Sequence, residues 1–128
     1  MLKNACRERK AIFENPNRLK IKEIRVDKCL EFEGVKCDYL LIRPDKVEFF
    51  VELKGKAVLH AVDQLINSIN ALSESPKKQE KHMRVVCSGC PMDTASIGDL
   101  RVKMKKQYNS TFVVRTNSLE EDLDKPYK

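Results

Sequence analysis

The sequence predicts one α/β domain built on a mixed central sheet, and three observations predict it. Two short apolar runs, Cys37 to Ile42 and Val47 to Lys54, flank Arg43-Pro44-Asp45-Lys46 and read as a hairpin. Val58, Val62, Leu65, Ile69 and Leu72 then repeat at helical spacing. Met83 to Cys87 follows as a compact apolar run, so hairpin strand, helix and next strand form a parallel crossover.

The remaining elements follow in order. Leu2, Ala5, Cys6, Ile12 and Phe13 fall near one stripe and predict an opening helix, which Asn15-Pro16-Asn17 stops. Leu19 to about Phe32 reads as a strand of uncertain register, closed by a turn at Glu33-Gly34. Ser73 to His82 is polar and lysine-rich, a solvated connection. Asp93 or Thr94 caps a helix whose face carries Ile97, Leu100, Met104 and Tyr108. Thr111 to Arg115 is a last strand, and a charged tail from Ser118 is expected to fray. The predicted boundaries are a core over about 1–88, a helix-and-strand addition over about 89–116 and a tail over 117–128.

Composition narrows the function classes. At 128 residues with 41% apolar content the chain can bury one core, and 34% charged residues cover it. No run approaches the roughly 20 apolar residues of a bilayer span, and the first ten residues lack the apolar stretch of a signal peptide, so a cytoplasmic protein without membrane contact is expected. Five cysteines, an odd number, are expected as reduced thiols. A net charge of +6 favours a polyanionic partner, nucleic acid being the obvious one.

The informative segment is Cys37-Asp38-Tyr39-Leu40-Leu41-Ile42 followed by Phe50-Val51-Glu52-Leu53-Lys54-Gly55. Strand alternation puts Glu52 and Lys54 on one face. If Leu40 pairs with Phe50, Asp38 falls opposite Glu52, with β-carbons about 5 Å apart. Facing carboxylates destabilise a ladder unless a cation lies between them, and an all-oxygen donor set suits Mg²⁺ or Mn²⁺.

Asp38, thirteen intervening residues and Glu52-x-Lys54 at the end of an apolar strand resemble the PD-(D/E)XK nuclease superfamily. The predicted helix, three strands, helix and strand are similar to that superfamily's core, so the resemblance implies a restriction-endonuclease-like αβββαβ fold over roughly residues 1–88, the final helix and strand being an addition. It implies a divalent-metal-dependent nuclease acting on DNA, less readily RNA, in which Asp38 and Glu52 bind the metal and Lys54 serves the attacking water. Cys37 stands where the family name has proline. Many members add a glutamate from the first helix. Glu8, bordering the apolar stripe, is the better match for that metal ligand than Glu14, and Gln64 is a weaker match to a glutamine on the following helix.

Other residues carry weaker signals. Lys56, Lys77, Lys78, Lys81, Arg101 and Lys105 are candidate phosphate contacts, as are His82 and Arg84, against the plainer reading of a solvated loop and a polar helix face. Cys87-Ser88-Gly89-Cys90 with Cys29 and Cys37 offers the ligands of a zinc site, against idle thiols. His60 and His82 read as surface residues, and Asp27 as a solvated strand-end acid that is also a possible extra ligand. So short a chain leaves sequence specificity to a homodimer or partner subunit. The reading from another class is a non-catalytic module that keeps the nuclease-like fold and binds nucleic acid or protein.

Overall fold

The computed structural model describes residues 2–3, 10–29, 32–54, 58–89 and 92–128, with 2, 3, 28, 29 and 54 described in the backbone alone. In chain order the elements are β1 (Leu2–Lys3), β2 (Lys10–Glu14), β3 (Lys22–Arg25), α1 (Val26–Cys29), β4 (Tyr39–Ile42), β5 (Glu48–Lys54), α2 (Val58–Leu72), β6 (Lys81–Cys87), α3 (Thr94–Tyr108), β7 (Ser110–Thr116) and β8 (Ser118–Asp122). They form a mixed α/β fold around a five-stranded sheet of order β3-β4-β5-β6-β7.

The first three strands of that sheet run antiparallel in sequence, and β5, β6 and β7 are parallel. The direction changes where the connections change. The tight turn at Arg43 to Val47 can only return the chain antiparallel, whereas α2 and α3 are long enough to carry it back to the same end. Asp93 caps α3 by accepting from the Ser96 amide at 2.7 Å, and Asn109 ends it in the left-handed region.

Strand alternation sorts the core into two layers. Leu40, Phe50, Met83, Val85 and Phe112 face one way and pack with Ala61, Leu65 and Ile69 of α2 and Met104 of α3. Tyr39, Leu41, Phe49, Val51, Leu53, Val86 and Val113 face the other way, onto Ala11, Leu119 and Leu123. The second layer is closed by a small sheet of order β1-β2-β8.

That small sheet corrects two expectations. The opening helix is not formed at either described end: Leu2–Lys3 is a strand paired with Lys10 and Ala11, and Lys10 to Glu14 is a strand because it pairs parallel with β8 along its whole length and buries Ala11 against Leu119. The segment from Ser118 is that partner strand and not a frayed tail. A local stripe in residues 2–13 was outweighed by pairing with residues more than a hundred positions away. The strand expected from Leu19 to Phe32 is also shorter, since β3 gives way to α1 at Val26.

Candidate active site

The register of the β4–β5 hairpin is the one the site requires. Leu40 pairs with Phe50 and Tyr39 with Val51, so Asp38 and Glu52 lie at the next position on the face shared by Leu40 and Phe50. β4 stops at Tyr39 because the Asp38 side chain takes over the ladder: its Oδ2 accepts from the Leu53 amide at 2.9 Å, while the Asp38 amide donates to Val51 O. The site therefore stands at the carboxyl end of β5, where open α/β sheets commonly bind ligands.

The loop before Asp38 is clamped by α2. Gln64 Nε2 donates to Lys36 O, Asn67 Nδ2 donates to Glu33 O and Val35 O, and Ser68 Oγ accepts from the Cys37 amide at 2.9 Å. These three residues lie at the helical spacing i, i+3, i+4, so one polar stripe meets one stretch of irregular backbone. Gln64 is thus turned toward the site loop. Gly34 makes the fit possible: its φ is +93°, and a Cβ there would come within 2.7 Å of the Asn67 amide.

Electrostatics mark the same corner. Burial raises the Asp38 carboxyl to about 6, with the Asp27 carboxylate within hydrogen-bonding reach adding to the rise, and the Leu53 amide and Arg25 opposing it. Asp27, which reads from the sequence as a solvated acid, is brought beside Asp38 because α1 starts at Val26, whose amide donates to Asp38 O at 2.9 Å. Burial pushes the Cys37 thiol up to about 12, with the charges of Glu52 and Asp38 contributing. Such a thiol is a poor nucleophile and a poor zinc ligand at neutral pH.

Glu52 is only 2% exposed, and Lys54 ends β5 opposite Cys87 of β6. The donors available are carboxylate oxygens. Asp27 is ion-paired with Arg25 at 3.2 Å, and the desolvated carboxyls of Asp38 and Glu52 are of the kind that a hard divalent cation would stabilise in the ionised form. Among the described residues, no three Asp, Glu, His or Cys side chains gather closely enough to hold a metal ion between them. Glu8, Lys56 and Cys90 lie outside the described residues, as do the side chains of Cys29 and Lys54.

The basic cluster expected between Lys77 and Arg84 does not exist as a surface. Lys77 and Lys78 are exposed, but Lys81, His82 and Arg84 belong to β6, every residue of which is buried. Lys81 Nζ donates to the carbonyls of Ser75, Pro76 and Tyr108, and Arg84 is ion-paired with Glu121. Both long cations therefore hold the interior together and are unavailable to phosphate. Arg101 and Lys105 are exposed on α3, and His60 is exposed on α2.

No protein-family model, curated protein or solved structure matches this chain. Among the described residues, no helix is long and apolar enough to cross a membrane.

Proposed function

We propose that the chain is a divalent-metal-dependent nuclease of restriction-endonuclease-like fold that hydrolyses phosphodiester bonds, with DNA the first choice of substrate and RNA the second. The observation that carries this reading is the hairpin register, Leu40 on Phe50, which sets Asp38 and Glu52 on one face two residues before Lys54. The order β3, α1, β4, β5, α2, β6, in which α1 is a four-residue helix, supports the βββαβ part of the core that the resemblance implies.

In this reading Asp38 and Glu52 hold Mg²⁺ or Mn²⁺, with Asp27 or Glu8 as an auxiliary ligand. When bound, the ion would lower the pKa of an attacking water and stabilise charge developing on the phosphate. The Leu53 amide fixes the Asp38 carboxylate, and the α2 clamp fixes the loop that carries it. Lys54 is assigned the cation that orients the water, and a homodimer or partner subunit is assigned substrate choice.

The absence of a three-ligand cluster among the described residues favours a second reading, a non-catalytic module that binds nucleic acid or protein through the same fold. Incubating wild type, Asp38→Asn and Lys54→Ala with single-stranded, double-stranded and branched DNA and with RNA, in Mg²⁺ or Mn²⁺, separates the two. Cleavage by wild type that both variants lose supports the nuclease. Binding without cleavage, or cleavage that survives both substitutions, overturns it.

A further inference from the structure

A second cleft, of about 520 Å³, lies at the amino ends of β6 and β7. It is remote from Asp38 and Glu52. Glu52 pairs with Val85, three residues beyond His82, or roughly 10 Å along the strand. His82 belongs to the opposite sheet face, its ring tilted against that of Phe49 with centroids 4.9 Å apart, whereas α3, which carries Arg101 and Lys105, packs on the Glu52 face.

Its walls carry three cations, Arg101 and Lys105 one helical turn apart on α3 and Lys128 from the C-terminal segment. None of the three has an ion-pair partner among the described residues. Arg101 is aimed by its own Nε, which donates to Phe112 O at 3.1 Å on β7, the last strand of the five-stranded sheet, so the rest of the guanidinium is held in place with its donors free of protein acceptors among the described residues.

Glu80 is the one acid among the described lining residues, and it is engaged. Thr111 Oγ1 accepts from Arg84 Nη1 at 2.8 Å, which leaves its hydroxyl hydrogen for His82 Nδ1 at 2.7 Å. His82 Nε2–H then faces Glu80 Oε2 at 3.2 Å. The floor is a chain of polar groups ending on the Glu80 carboxylate, which a neutral His82 does not offset, and the side-chain charges of the lining are three positive against that one negative.

We propose that this cleft binds a phosphomonoester, the terminal phosphate of either a free mononucleotide or a 5′-phosphorylated strand end. Three lining cations against one carboxylate, one of them a guanidinium anchored through its Nε, suit a dianionic phosphate better than the single charge of a backbone phosphodiester. The volume falls in the range of roughly 300–1,000 Å³ in which small-molecule sites occur. Nothing in this assignment depends on the nuclease reading.

The test is calorimetric titration in EDTA, without divalent metal, so that hydrolysis plays no part. Two pairs of probes are compared: adenosine 5′-monophosphate with adenosine, and a 5′-phosphorylated with a 5′-hydroxyl DNA oligonucleotide. The phosphorylated member of at least one pair is expected to bind more tightly, and Arg101→Gln or Lys105→Gln to weaken it about tenfold or more. Lys46→Gln, which removes an exposed cation from a separate cleft, is the control and should change binding less than about twofold. Discrimination in the mononucleotide pair identifies a free nucleotide as ligand, and discrimination in the oligonucleotide pair alone identifies a strand end. No preference for phosphate in either pair overturns the proposal, as does equal weakening by Lys46→Gln. Arg101 and Lys105 are exposed, and thermal melts of the variants verify that the fold is retained.

Discussion

Arg84 and Glu121 form a bidentate ion pair with no solvent exposure of either side chain: Nε donates to Oε1 at 2.7 Å and Nη2 to Oε2 at 2.6 Å. The pair crosses from the central sheet to β8, and Tyr127 adds its carbonyl to Arg84 and its amide to Glu121. Removing one partner strands a desolvated charge. Glu121→Gln is therefore expected to lower stability by about 3–5 kcal/mol, read by urea denaturation. A loss below about 1 kcal/mol would mean that water reaches the pair.

Asp38→Asn should do the reverse in the absence of divalent metal. The folded carboxyl titrates near 6, above its usual range, so its ionised form opposes folding at neutral pH and stability rises as pH falls from about 6 toward 4. An asparagine can still accept from the Leu53 amide while carrying no charge. The variant is expected to gain about 1–2 kcal/mol at pH 7.5 after allowance for solvent screening. Added Mg²⁺ should raise the melting temperature of wild type alone, and loss of cleavage in a more stable variant could not be ascribed to misfolding.

His82 gives a pH dependence of opposite sign. Burial holds it down to about 4, with the neighbouring Arg84 charge adding to the effect. Between about 6.5 and 4 the unfolded chain takes up a proton that the folded protein refuses, so stability falls as pH is lowered through this window and levels off below it. The loss is on the order of 2 kcal/mol, and His82→Gln should abolish it in denaturation curves measured across that range.

Gly34→Ala tests the clamp. The new methyl meets the Asn67 amide on a backbone already at φ +93°, and a loss of about 1–2 kcal/mol is expected. If the α2 clamp positions Asp38, hydrogen exchange at the Cys37 and Leu53 amides should accelerate in this variant more than exchange in β6. Uniform acceleration would instead indicate general destabilisation.

How much of this was legible in the sequence depends on the range of the interaction that decides each element. The hairpin register joins residues about ten apart, the β5–α2–β6 crossover joins consecutive elements, and the Asp93 cap acts within one turn, so the local patterns of apolar and capping residues carry them. The β2–β8 pairing is decided by residues far apart in the chain, and nothing in Ala11, Ile12 and Phe13 announces it. Lys81 and Arg84 mislead for a related reason: their charge reads as surface, while the carbonyls and the carboxylate that make burial tolerable come from residues as distant as Tyr108 and Glu121. Of the site, Asp38 and Glu52 follow from alternation, whereas Asp27 and the Gln64, Asn67 and Ser68 clamp require the loop path.

The pairing of Lys10 to Glu14 with Ser118 to Asp122 also bears on how the protein is made. The strand at Lys10 to Glu14 waits for a partner synthesised about a hundred residues later, and Arg84 waits 37 residues for Glu121. Until β8 is available the nascent chain presents an uncovered sheet face, so this pairing should form late and slowly for a domain of this size, with that face the natural client surface for a chaperone.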